Sequence, residues 1–256
     1  MQHAIRWGKM EVAPITHIGW TASKRWKNRW ARFWMRYAGL STMGRAATLC
    51  AALFAPPHKE RVYLSKFNLQ GYISFRAKLF HKQMYIGNHV FIDDHALLFD
   101  RYQGGVLRLG SEVRIYRYNI LETAYGGTLE IGDRVSIHPK CQLNAYVSGI
   151  RIGSGTMLAP CCALYSYDHG LELGQPIRNQ PLRSRGGIHI GSEAWLGYGT
   201  IVLDGVTIGD GAVIGAGSVV TQNVPDNTIA VGNPARVVRH RRDFSVQKPF
   251  GETQEN

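Results

Sequence analysis

One histidine, His169, stands in the stretch LYSYDHGLELGQPIRNQPL (164–182), with Arg178 inside it and Arg183 and Arg185 just beyond. A neutral imidazole within about 3 Å of a hydroxyl can take its proton as the oxygen attacks an electrophile, help that a hydroxyl needs because almost none of it is ionised at pH 7. Asp168, the preceding residue, either orients the imidazole through its second ring nitrogen or caps the loop. The competing reading of a lone histidine is a surface residue without a role, so its position in the chain has to decide.

That position is an interruption in a count. Aliphatic residues recur every six: Ile86, Ile92, Leu98; Leu109, Ile115, Leu121; Ile131, Ile137, Leu143; Ile152, Leu158, Leu164; then Ile190, Leu196, Val202, Ile208, Ile214, Val220. Three hexads make one 18-residue turn of a triangular prism with one inward aliphatic per face, and successive turns sit about 4.8 Å apart, the spacing of parallel strands. Every extra stretch falls after the third member of a block, so all emerge from one corner. The largest, 20 residues between Leu164 and Ile190, carries His169. A loop of that size on a solenoid is a place for function. The count predicts a mainly β parallel helix of about six triangular coils over 86–240, with a basic, aromatic extension at 1–85 and a tail at 241–256. Glycine after the aliphatic is expected to allow the tight corner.

The segments IGDRVSIHPKCQL and IGSEAWLGYGTIVLDGVTIGDGAVIGAGSVVTQNVPDNTIAVGNPARVV resemble the hexapeptide-repeat acyltransferases, in the branch of maltose, galactoside and polysaccharide O-acetyltransferases. The resemblance covers about residues 86–240 and implies a left-handed β-helix, a homotrimer, and acetyl-CoA as co-substrate with a sugar or glycolipid acceptor. It implies that His169 is the catalytic base. It places Asn144 one coil before that base as an acceptor-binding residue, the alternative being an asparagine that bonds backbone at a turn. Trp195 matches a tryptophan that walls the site, or packs against the loop. Asp168 and Arg178 would stand near the acceptor, and the three loop arginines are compatible with an acidic glycan. Residues at the family's CoA positions are Ala216, Thr221, Arg236 and Arg239, with Tyr198 where the family has a small residue and Gln222 where it commonly has lysine. The arginines could equally be a solvated tail. A non-catalytic hexapeptide scaffold, or an enzyme acting on a free small sugar or xenobiotic, are the competing functions.

Net charge is +12 over 256 residues, and its location says more than its size. Residues 1–85 hold 15 Lys and Arg against 2 Asp and Glu, while the rest is close to neutral. Trp26, Trp30, Phe33 and Tyr37 fall at helical spacing among Lys24, Arg25, Lys27, Arg29, Arg32 and Arg36. Such a helix over 20–37 either lies on an anionic membrane, aromatic face down, or packs on the prism as a cap. Nothing beyond charge supports nucleic acid. The apolar run at 46–56 is shorter than the roughly 20 residues a bilayer needs, and no secretory signal is visible, so a cytoplasmic location is expected, with peripheral contact at the inner membrane face. The four cysteines have neither zinc spacing nor scaffold density. His138 and His189 occupy different hexad positions from one another and are not expected to converge with His169 on a metal.

Overall fold

The computed structural model describes residues 24–243. Short parallel strands wind through three faces in strict rotation, so that strands from successive turns pair within each face. The first face has nine strands, the second seven and the third six. Seven turns result, one more than the hexads from Ile86 suggest. The added turn begins at Tyr72–Ile73, which pairs in parallel with Phe91–Ile92, and continues through Lys78–Phe80 and Met84–Ile86. The count began at Ile86, although Ile73 and Leu79 already stand six residues apart ahead of it.

The hexad residues form the inner columns. On the second face Leu79, Leu98, Leu121, Leu143, Leu164, Val202 and Val220 stack in register through successive strand pairs. From Ile92 onward the hexad aliphatics are buried, most of them completely. Burying each column only against its neighbours is why the sequence needs a period of six at all, since an out-of-step residue would leave its column.

Glycine at the corner after the third face works differently from the expectation. Gly153 does not adopt a left-handed backbone; instead a Cβ there would lie 2.5 Å from Gly191 C and Ser192 N of the next turn. Left-handed positions two residues after such glycines are held by Glu112, Arg134 and Glu193, with φ of 58°, 56° and 54°. The glycine is there for close approach of stacked backbones.

The described part of the N-terminal extension packs on the first turns. Helix α1 (Lys24–Met35) and helix α2 (Thr42–Ala51) lie against each other, and Ala31, Met35 and Ala38 bury against Tyr72, Phe91 and Tyr116 on the outside of the first face. Thr48 Oγ1 donates to Ile73 O at 2.7 Å, and Arg45 donates to the carbonyls of Ser74, Phe75 and Ala77, which ties α2 to the first corner. The aromatic side of α1 is only partly covered, with Trp26 and Trp30 against Phe54. Trp26, Phe33 and Tyr37 are exposed, while Trp30 turns toward α2 and donates from Nε1 to Cys50 O at 2.7 Å. Residues 20–23 of the expected helix, the rest of 1–23, and 244–256 of the expected tail lie outside the described residues. Among the described residues no helix is long and apolar enough to cross a membrane.

Candidate functional site

The corner between the second and third faces gathers every insertion, as the count required. Its long loop leaves after Ala163–Tyr165 and returns at Ile188–Ile190. Within it Asp168–His169 pairs antiparallel with Leu182–Arg183, His169 opposite Leu182. This two-stranded ribbon holds the imidazole out from the prism on a regular element.

Three buried polar side chains fix the loop. On the outgoing limb Ser166, fully buried, accepts from Tyr146 N at 3.1 Å and reaches the carbonyl of Tyr146 at 3.1 Å. In the middle Gln180, 6% exposed, accepts from Glu172 N at 2.9 Å and donates to Glu172 O at 2.9 Å and Gln175 O at 3.0 Å. On the return limb the buried Asp204 accepts from Ser184 Oγ at 2.8 Å, from Gly187 N at 3.0 Å and from Arg185 N. Gln180 and Asp204 satisfy loop backbone that would otherwise have to find water, while Ser166 ties the outgoing limb to the backbone of the turn before it.

His169 is exposed, and its ring makes no hydrogen bond among the described residues. Its nearest aromatic neighbour is Tyr167, centroid to centroid 6.3 Å in an edge arrangement. It borders a cavity of about 470 Å³, lined also by Arg101, Tyr102, Tyr125, Tyr146, Tyr167 and Arg178. Neither ring nitrogen is engaged by another described residue.

Of the remaining sequence candidates, some converge here and some do not. Arg178 lines the cavity, and among the described residues it has no ion-pair partner. Arg183 pairs with Glu172, and Arg185 Nη2 pairs with Asp168 at 3.2 Å while its Nε lies 3.9 Å from Asp204, so two of the three loop arginines are committed within the loop. Asp168 thus braces the return limb and does not contact the imidazole, as expected of neighbours on an extended strand whose side chains point apart. Asn144 pairs in register with Tyr165 and Glu122 on the second face and does not line the cavity. Its Oδ1 is buried without a partner. Trp195 is exposed on the outside of the first face, paired with Met157 and Val213, and within one chain it does not wall the cavity. The first face is opposite the loop-bearing corner in a triangle.

The residues at the CoA positions spread over the last turns. Tyr198 and Ala216 follow one another at the corner between the first and second faces, where Gly217 N donates to Tyr198 O at 2.7 Å. A hydrogen bond with Cys161 raises the Tyr198 phenol. Arg236 and Arg239 lie exposed on Arg236–His240, which runs antiparallel to Thr228–Val231 at the end of the first face. Thr221 belongs to the loop-bearing corner and is not brought to the other four. His138 follows the first face beside Tyr116, ring centroids 5.0 Å apart, whereas His189 lies on the third face. Among the described residues no group of three or more His, Cys, Asp or Glu could hold a metal ion.

Sequence reasoning missed the tyrosines. The signal was present, because four successive corner insertions open with one: RYQGG, AYGG, AYVSG and SYDHG. Burial and then a hydrogen bond to Glu122 push the Tyr146 phenol up, and burial does the same for Tyr167, so both stay protonated and able to donate.

Residues 187–222 match the family described as bacterial transferase hexapeptide (six repeats). A Staphylococcus aureus (strain COL) protein named as an acetyltransferase is 42% identical over 118 residues, which is 46% of this chain and 58% of its own length. A Mycobacterium tuberculosis protein, named likewise, is 29% identical over 160 residues, 62% of this chain and 45% of its own length. The chain thus spans about half the length of the curated relatives it matches. A point mutant of AntD, an N-acyltransferase from Bacillus cereus solved with dTDP-4-amino-4,6-dideoxyglucose and coenzyme A, aligns with a TM-score of 0.52 at 23% identity, covering 63% of this chain and 84% of that one. Residues 187–222 carry the hexapeptide repeat of that family, and the coils share the fold of the AntD structure.

Proposed function

We propose that the chain is an O-acetyltransferase that moves the acetyl group of acetyl-CoA to a sugar hydroxyl, in the building of a bacterial exopolysaccharide, capsule or lipopolysaccharide. The observation that carries the reading is His169, presented on a two-stranded ribbon at the edge of the cavity with neither ring nitrogen engaged by another described residue. The imidazole takes the proton of the acceptor hydroxyl as its oxygen attacks the thioester carbonyl. Collapse of the tetrahedral intermediate forms the ester, expels the CoA thiolate, and returns the proton to sulfur. No covalent acyl-enzyme is needed.

The CoA arm would follow the last turns past Tyr198 and Ala216, with Arg236 and Arg239 toward its phosphates and Thr221 contributed from another corner. Residues on different corners, and Trp195 on the face opposite His169, fit a homotrimer in which the loop of one subunit meets the first face of the next. The exposed Arg25, Arg29, Arg32 and Arg36 with Phe33 and Tyr37 on α1 fit peripheral contact with an anionic membrane, where a lipid-linked acceptor would be found. Co-sedimentation with phosphatidylglycerol vesicles that disappears at high salt checks this contact; binding that persists without anionic lipid refutes it.

The test of the activity is release of free CoA from acetyl-CoA with lysate glycolipid as acceptor. His169→Ala should lower it by at least about 10²-fold, with the melting temperature unchanged because the ring is exposed. An acetyl group lost from the product on mild base treatment is an ester, whereas an amide survives and makes the enzyme an N-acetyltransferase. Equal turnover by His169→Ala removes histidine from the mechanism. Failure to bind acetyl-CoA favours the scaffold.

A further inference from the structure

The cavity beside His169 draws its lining from four successive turns, and what those turns contribute is a column of tyrosines. Tyr102 and Tyr125 stack at 5.6 Å with 20° between planes, and Tyr146 and Tyr167 stack at 4.7 Å and 11°. Between the pairs, Tyr125 meets Tyr146 edge-on at 6.0 Å. The strand register explains the break. Tyr102 and Tyr125 stand four residues after the inward Leu98 and Leu121, whereas Tyr146 and Tyr167 stand three after Leu143 and Leu164. The column is therefore set by the coil, one ring per turn, and it ends at His169.

We propose that the acceptor groove runs down this corner from His169 to Tyr102 and takes an extended, acidic glycan several sugars long. The inference rests on the acetyl-transfer reading of His169 and adds its acceptor class. Four rings one turn apart cover about 14 Å at the spacing of parallel strands, far more than one sugar ring can occupy. Two of the rings are open to solvent, Tyr102 at 62% and Tyr125 at 40% exposure; a stack that served only to stiffen the corner would gain by burying them. A tyrosine offers an apolar ring to the C–H side of a sugar and a hydroxyl to its polar edge.

The charge of the lining gives the acid. Arg178 above the column has no ion pair among the described residues, and no carboxylate lines the cavity. Arg101 at its lower end is held 3.5 Å from the buried Glu122, with its guanidinium 5.3 Å from the centre of the Tyr102 ring. Glu122 offsets that charge, so the preference for acid rests on Arg178.

The experiment is a glycan array of defined acidic and neutral chains of one to six sugars, probed with the intact wild-type chain, Tyr102→Ala/Tyr125→Ala and Arg178→Ala. Retained glycans should be carboxylated and at least three sugars long. The double variant should bind them about 10- to 100-fold more weakly, from a loss of about three- to tenfold per ring, and Arg178→Ala should lose the preference for acid. On the longest retained glycan the double variant should raise KM for acetyl transfer and leave kcat in place. Should the double variant fold poorly, Tyr102→Ser alone, at the most exposed ring, carries the test. Binding indifferent to chain length, wild-type affinity in the double variant, or no retained glycan from a chain that binds acetyl-CoA overturns the groove. Transfer to single sugars without length dependence overturns it while the acetyltransferase reading stands. Loss of acetyl-CoA binding in the wild type sinks that reading instead.

Discussion

Gln180 tests whether the loop is built to hold His169 or merely tolerates it. Its side chain makes three hydrogen bonds inside the loop and none to the coils, and it is the loop's buried centre. In Gln180→Ala all three are lost, but Glu172 and Gln175 are exposed, so their backbone groups can turn to water. The cost is then the net value of a hydrogen bond, about 1 kcal/mol each, or about 3 kcal/mol for the closed loop. At 1.4 kcal/mol per factor of ten, the open form gains about 100-fold. Because the aliphatic columns are untouched, the opening is local. Hydrogen exchange followed by mass spectrometry should show peptides spanning 168–183 exchanging about 100-fold faster, with the coil peptides unaltered and the melting temperature within about 2 °C of wild type. Unchanged exchange in that segment would refute the staple, and so would a melting temperature lowered in proportion to the full 3 kcal/mol.

Two further perturbations probe the coils. Leu143→Ala opens a hole between Leu121 and Leu164 in a fully buried column and should cost about 2–5 kcal/mol by urea denaturation; a loss below 1 kcal/mol would mean that the column collapses onto the gap. Burial first, then Lys59 and His58, hold the half-buried His138 below its ordinary value, with Tyr116 against its ring and the Asp93–Arg117 pair nearby. The unfolded chain therefore binds the proton first as pH falls, so stability rises with pH from the lowered value up to about 6.5 and is lost on acidification through that window. Burial lowers His81 with the same sign. Urea midpoints between pH 5 and 8 should show the slope, and His138→Gln should flatten part of it; a steeper slope in the variant contradicts the sign.

How much of this was written in the chain follows from what each feature depends on. A period of six is a local property that every turn repeats, so the three faces, the inward columns and the one corner bearing all insertions could be read from spacing, and with them the place of His169. The first turn escaped because the count was begun at Ile86, and aromatic spacing left open whether α1 lies on a membrane or caps the prism, because it reports amphipathicity and not which side fits a sheet. Partners across the loop needed the fold. Asp168 went to Arg185 because adjacent strand residues face apart, and Arg183 to Glu172, leaving Arg178 over the cavity. Tyr102, Tyr125, Tyr146 and Tyr167 are some 20 residues apart in sequence and one strand spacing apart in space. By itself the sequence determined the repeat and where it breaks, because both are local arithmetic. Only the tertiary structure decided which side chains meet at the break, because register and strand pairing, not distance along the chain, set who faces whom.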